Sequence, residues 1–265
     1  MMSGRSGGIH RRQLIRQLSW TLGGCFLGIF NLSKALASET ARDQTATSPQ
    51  IALIIDDIGH SRSLAERFVD LQATLTFSVL PQLAYSRQLA QELHHRGYEV
   101  MLHQPMEPLD NCCDPGPGAV FVGDHANQIE SIIESNIYEI PFAKGVNNHM
   151  GSRFTASSYE IAAALKVIRS RNLFFIDSIT SNRSLAHATA KQYRIPTAYR
   201  NVFLDNVRQE SAIMVRLKQL RNHALRHGRA IGIGHPFPET ARAIGRFANQ
   251  LKSTQVRLVP ASHIV

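Results

Sequence analysis

Cysteine is nearly absent: 3 residues in 265, of which only Cys112 and Cys113 lie in the body of the chain, side by side. Adjacent cysteines close a strained ring, and no C-x-x-C spacing occurs, so the sequence is neither a disulfide scaffold nor a zinc ribbon. Glycine (17) and proline (11) are too few and too irregular for a collagen-like or low-complexity chain. No 20–50-residue repeat signals a solenoid, and no glycine-rich phosphate loop is present. The apolar stretch near the N-terminus is too short and too glycine-broken for a full membrane span. What remains is enough length for one sizeable domain with its own core.

The net charge of +9 suggests nucleic acid at first sight. Five of the 29 basic residues, Arg5, Arg11, Arg12, Arg16 and Lys34, fall in residues 1–37, which hold no acid; the other 24 face 20 acidic residues. A mild, scattered excess does not make a phosphate-binding surface, and no nucleic-acid partner is expected. Residues 1–37 instead read as an export signal. A basic segment (10–16) precedes an apolar stretch, and Ala35-Leu36-Ala37 supplies a cleavage pattern. Arg11-Arg12-Gln13-Leu14-Ile15-Arg16 resembles a twin-arginine signal. The expected location is therefore the periplasm or the cell exterior, with an uncleaved N-terminal anchor as the alternative and the sole membrane contact. Residues 38–50 are polar and read as a linker, leaving a single domain over 51–265.

The domain is organised around Ile51-Ala52-Leu53-Ile54-Ile55-Asp56-Asp57-Ile58-Gly59-His60. Five apolar residues running into two carboxylates and a glycine read as a buried parallel strand handing over to a helix. Ser63 and Glu66 have capping-box spacing for that helix. Further strands are expected at 74–80, 98–102, 143–146, 173–176, 230–233 and 256–259, with short extended pieces at 196–204. Helices are expected at 85–96, 126–138, 157–170, 184–193, 207–227 (Asn206 as N-cap) and 239–252. Such strict β–α alternation calls for a parallel sheet. A closed (β/α) barrel of short strands is the first expectation, a doubly wound sheet the second. A long Pro-, Gly- and Asp-rich loop follows the third strand to about residue 124.

Polar residues recur at the expected strand ends: Asp56 and Asp57, His103, His149, Asp177, Asp205 and His235. In a parallel α/β fold these ends converge on one face. One carboxylate with two imidazoles makes an open site for a divalent cation. A second carboxylate beside it can take a proton from water, and a further histidine can give one to a leaving group. Together they describe hydrolysis of an amide or ester.

The ordered motifs I-D-D-I-G, H-Q-P-M-E-P, G-V-N-N-H-M-G-S, F-I-D-S, R-N-V-F-L-D and I-G-I-G-H-P resemble the divergent polysaccharide deacetylases, a branch of the NodB-like deacetylase group, over about residues 50–262. The resemblance implies a distorted (β/α) barrel of about seven parallel strands with a divalent metal at its mouth; the Asp-His-His donor set suits Zn²⁺, with Co²⁺, Ni²⁺ or Mn²⁺ as alternatives. It implies Asp56 as base, Asp57 as metal ligand, His103 as a second ligand and His235 as general acid. The second histidine of the group's paired-histidine motif is replaced by Glu107, and His149 is the candidate replacement ligand. Asp177 matches an acidic motif and is expected to orient a neighbour. Arg153 and Arg200 are candidates for the arginine that orients the base. Where many members carry an arginine after the fifth strand, this chain has Ile179. The implied activity is removal of N- or O-acetyl groups from an envelope polysaccharide such as peptidoglycan or an exported glycan. A non-catalytic polysaccharide-binding or scaffold protein is the main alternative. A phosphoesterase is a third, disfavoured by the missing phosphate loop.

Overall fold

The computed structural model describes residues 48–265. The expected export segment at 1–37 and most of the linker at 38–50 lie outside the described residues, among which no helix is long and apolar enough to cross a membrane. In chain order the elements are β1 (Gln50–Ile58), α1 (Arg62–Val69), β2 (Thr76–Val79), α2 (Ser86–His95), β3 (Glu99–Met106), α3 (Ala126–Glu139), β4 (Ala143–Met150), α4 (Ser158–Ser170), β5 (Phe174–Asp177), α5 (Ala186–Gln192), β6 (Thr197–Tyr199), β7 (Val202–Phe203), α6 (Glu210–His227), β8 (Arg229–Gly234), α7 (Pro238–Leu251) and β9 (Arg257–Leu258).

Every strand pair is parallel, and the spatial order is β6-β5-β4-β3-β2-β1-β8-β7. The order winds one way without a switch point, which separates a barrel from a doubly wound sheet. The two edge strands β6 and β7 are joined by Arg200 and Asn201 alone, so the sheet has to curl until its edges almost meet. They do not pair, and a seam remains there. The path holds eight strands where about seven are expected; β9 adds a short ninth by pairing with Gln50 and Ile51 of β1, below the point where β2 begins.

Strand alternation sorts the core into two layers. Ile51, Leu53 and Ile55 of β1, Val100 and Leu102 of β3, Val146 of β4 and Phe175 of β5 pack outward under the helices. Ala52, Ile54, Met101, Phe174, Ile176, Ile231 and Ile233 point inward and fill the barrel, closed at its base by Val259, Ala261 and Ile264. Full burial of each such aliphatic side chain is worth roughly 1.5–3 kcal/mol. Gly145 lies on the inward side of β4 because its register partner Phe174 occupies the space a side chain would need.

Several boundaries differ from expectation. β3 and β4 run four residues further, to Met106 and Met150, pairing through Pro105↔His149 and Met106↔Met150. Pro105 is tolerated because β3 has already left β2 at Leu102; the Pro105 carbonyl turns to the Val120 amide on that vacated side, where a missing N–H breaks no ladder. α1 starts from Ser61 as N-cap residue, so Ser63 lies inside the helix and does not cap it. Ser157 does occupy the N-cap of α4, and its hydroxyl bonds the Glu160 carboxylate. α6 starts at Glu210, with Gln209 in the extended N-cap position; just before it, Arg208 lies over the Phe237 ring at 3.9 Å. The same helix ends at Gly228, whose φ of +79° suits a glycine C-cap.

Candidate metal centre at the barrel mouth

The inward alternation of each strand, continued one step past the apolar plug, delivers the polar residues. On β1 the sequence Ala52, Ile54 leads to Asp56; on β3, Met101 leads to His103; on β4, Gly145 leads to Asn147 and then His149; on β5, Ile176 leads to Ser178; on β8, Ile231 and Ile233 lead to His235. Asp57 would face outward by the same rule. It does not, because it adopts φ +57° where the β1–β2 register is interrupted between Ile55 and Ile58. Aspartate is among the few residues that tolerate this left-handed conformation.

Three ligand-type atoms then converge. Asp57 Oδ1 lies 3.2 Å from His103 Nε2 and 3.0 Å from His149 Nδ1, and the two nitrogens are 3.1 Å apart. Metal bonds of about 2.1 Å place neighbouring ligand atoms about 3.0–3.4 Å apart between octahedral and tetrahedral angles, so this triangle matches the spacing of a divalent cation's ligands. Asp57 Oδ1 is buried with no aligned hydrogen-bond donor, an orphaned acceptor where a cation would sit. The donor set, one carboxylate and two imidazoles, fits such an ion.

Asp56 and His235 flank the triangle. Asp56 is buried, with Oδ2 3.5 Å from His103 Nε2 and Oδ1 accepting from Asn147 Nδ2 at 2.9 Å. Burial pushes its carboxyl above the usual range, against the pull of His103 and His235. Asp57 behaves oppositely: burial works against its charge, but the His103 and His149 imidazoles beside it outweigh that and hold the carboxyl well below its ordinary value. His103 is raised, burial being overcome by Asp56 and Asp57. His235 Nδ1 contacts Asp205 Oδ1 at 2.9 Å, and its Nε2 faces Asp57 Oδ2 at 3.8 Å. Burial disfavours the imidazolium, yet Asp205 lifts it to about 9. Asp205 is itself tied by the His235 amide (2.6 Å) and the Thr240 hydroxyl (2.8 Å).

The remaining expected residues lie around this centre. Glu107 is turned away from it: Oε1 pairs with Arg153 at 3.3 Å and Oε2 accepts the Val122 amide, bracing the loop after β3. Arg153, half in solvent, also reaches Asn111 in that loop and forms no hydrogen bond or ion pair with Asp56. Arg200 donates to the carbonyls of Ser178 and Ile179 and lies over Phe203 at 4.9 Å; it lines the pocket but does not hydrogen-bond Asp56. Asp177 orients neighbours on the outer side, accepting from the Ile179 amide, the Ser184 hydroxyl and the His187 amide. Those bonds hold Ile179 at φ +47°, a conformation a β-branched residue rarely adopts. Residues not singled out from the sequence also belong here: Asn147, Ser78 and Ser178. Inward alternation from Gly145 would have found Asn147, had β4 been read as reaching Met150.

Three hollows adjoin at the centre: one of about 350 Å³ against Asp56, His149 and His235, one of about 180 Å³ past Asp57 toward Phe237, and one of about 140 Å³ along Pro81 and Pro115. They form a trough across the mouth. Cys112 and Cys113 are exposed and unpaired on the loop after β3.

The Escherichia coli protein YibQ is 30% identical over 237 residues, covering 87% of this chain and 72% of YibQ. The crystal structure of ATU2773 from Agrobacterium tumefaciens superposes with a TM-score of 0.79 at 25% identity, over 83% of this chain and 91% of that one. The catalytic domain of a peptidoglycan N-acetylglucosamine deacetylase from Eubacterium rectale shares the fold at a TM-score of 0.50 and 13% identity, over 81% and 90% of the two chains. The model of the family described as divergent polysaccharide deacetylase matches residues 53–265, the whole barrel apart from the first residues of β1, and the chain belongs to that family.

Proposed function

We propose that the protein is an exported, metal-dependent hydrolase that removes acetyl groups, from nitrogen or oxygen, on an envelope polysaccharide. The convergence of Asp57 Oδ1, His103 Nε2 and His149 Nδ1 beside Asp56 and His235 carries this reading. Asp57, His103 and His149 would hold a divalent ion, Zn²⁺ by the chemistry of the donor set, with Co²⁺, Ni²⁺ and Mn²⁺ compatible. When bound, it supplies a Lewis acid and an acidified water.

The chain's own residues supply the rest. Asp56 is the base: burial makes its carboxylate a better proton acceptor, and the Asn147 amide fixes its orientation. His235, kept protonated by Asp205, presents Nε2–H across the centre and gives its proton to the leaving amine or alcohol. Arg200, with Phe203, forms one wall of the pocket, where a sugar ring would lie. The trough has room on both sides of the centre, as a polymer requires. A neighbour in fold described as a peptidoglycan N-acetylglucosamine deacetylase is consistent with an envelope glycan as substrate. The N-terminal segment, with its basic start and Ala35-Leu36-Ala37, accounts for export to the periplasm or beyond.

The test is metal content of the purified domain, wild type beside His103→Ala and His149→Ala, followed by acetate release from acetylated envelope glycans. About one divalent ion per chain, lost in both variants, with acetate released by the wild type alone, is expected. No bound ion after incubation with Zn²⁺ refutes the mechanism. Bound ion without hydrolysis of any acetylated glycan favours a binding protein, the reading that the diversion of Glu107 to Arg153 would suit.

A further inference from the structure

Asn147 is buried at the centre of the site and uses all four hydrogen-bonding positions of its amide. Oδ1 accepts from the Ser78 hydroxyl (2.5 Å) and faces His103 Nδ1 (2.9 Å); Nδ2 donates to Asp56 Oδ1 (2.9 Å) and to the Ser178 hydroxyl (3.3 Å). The two ends of this amide are not interchangeable. A carboxylate acting as base is an acceptor only, so the NH₂ end has to face Asp56. The carbonyl end then faces His103, and an imidazole nitrogen opposite a carbonyl oxygen has to carry the proton. The other nitrogen, Nε2, keeps its lone pair, and Nε2 is the atom aimed at Asp57 and His149.

We propose that Asn147 is the positioning residue that sets the base and the metal-ligating histidine together: one amide turns the Asp56 carboxylate and fixes the His103 tautomer. The proposal rests on the hydrolase reading above. A carboxylate at 147 would serve His103 as well, since a carboxylate behind a ligating histidine is a common arrangement. It would fail Asp56, having no proton to donate and carrying like charge. The amide offers an acceptor to one partner and a donor to the other from its two ends at once. No arginine takes this place: Arg153 pairs with Glu107, and Arg200 binds backbone carbonyls.

The two duties are separable by experiment. Metal-stripped wild type, Asn147→Ala and Asn147→Asp are titrated with Co²⁺, followed by visible absorption, and assayed for acetate release. Asn147→Ala loses both contacts, so Co²⁺ affinity falls about 10–100-fold and turnover falls with it. Asn147→Asp keeps Co²⁺ affinity within a few-fold of wild type, while kcat drops about 100-fold or more with KM little changed. A residue that merely holds the fold together would move both variants alike. Equal loss of Co²⁺ affinity in the two variants, or wild-type kcat in Asn147→Asp, overturns the proposal. Should Asn147→Asp not fold, the double variant Asp56→Ala/Asn147→Asp removes the charge clash, and its Co²⁺ affinity decides the histidine half on the same terms. A wild type that binds no Co²⁺ refutes the hydrolase reading and this proposal with it. A wild type that binds Co²⁺ but releases no acetate refutes the hydrolase reading and the Asp56 half of this proposal, and the affinity split still decides what Asn147 does for His103.

Discussion

Gly145 offers the sharpest test of the barrel's packing. It lies on β4 two residues before Asn147, paired in register with Phe174 of β5. A Cβ built there would sit 2.5 Å from Phe174 Cζ and closer still to Cε2 and Cδ2 of the same ring. The ring is buried within the barrel's inner apolar cluster, so it can move aside only by displacing its neighbours. Overpacking of this kind costs about 1–3 kcal/mol. Against it stands a gain of about 0.4–1 kcal/mol, because alanine has less conformational freedom than glycine to lose from the unfolded state. The Gly145 φ is not positive, so nothing else opposes the substitution. Gly145→Ala is therefore expected to lose roughly 1–2 kcal/mol net, lowering the melting temperature by about 2–8 °C in a domain of this size. Urea unfolding measures it directly, and a double-mutant cycle with Phe174→Leu tests the cause: the smaller side chain should recover about 1 kcal/mol beyond additivity. An alanine variant at least as stable as wild type, or strict additivity in the cycle, would refute the packing argument and with it the inward assignment of β4 on which the placement of Asn147 and His149 depends.

Three further outcomes follow from the site. A divalent ion at 100 times its Kd should stabilise the wild type by about 2.7 kcal/mol, seen as a rise of about 5–11 °C in a thermal melt, and Asp57→Ala should show no rise. In the metal-free protein, His235 is raised to about 9 from an ordinary 6.5. Its contribution is complete below about pH 6.5 and disappears as pH climbs through 9, a change on the order of 3 kcal/mol; urea midpoints should fall across that window in the wild type and much less in His235→Gln. Asp205→Asn weakens the charge that keeps His235 protonated, so kcat should fall about 100-fold or more while Zn²⁺ affinity, measured by competition with a chromogenic chelator, stays within a few-fold.

The β–α alternation was legible because each buried strand is a short apolar run closed by a turn signal, and the positions of Asp56, His103, His149 and His235 followed from it. The lengths of β3 and β4 were not. Their last four residues, His103–Met106 and Asn147–Met150, are polar or include proline, which in isolation reads as a loop. They are strand because they pair with each other, and they are polar because they line the mouth. Asn147 was hidden by that error. The start of α6 was not legible for a related reason: Asn206 has the chemistry of a cap, but the chain stays irregular until Gln209. Glu107 stands where the resemblance implies a ligand position, and only the loop's own need for a brace shows why it turns to Arg153 and Val122. A charge pair between residues 46 apart has no local signature.

The apolar plug beneath the mouth also controls traffic. Ile54, Met101, Ile176, Ile231 and Ile233 fill the barrel, and Ala261 and Ile264 stopper its base, so among the described residues the floor beneath Asp56 is apolar. Ion and polymer then both reach the centre through the mouth. On the proposed function this imposes an order: the ion enters before the glycan, and a seated glycan bars its exit. Occupied enzyme should thus outlast empty enzyme in a chelator, with the sugar chain acting as the lock on its own catalyst.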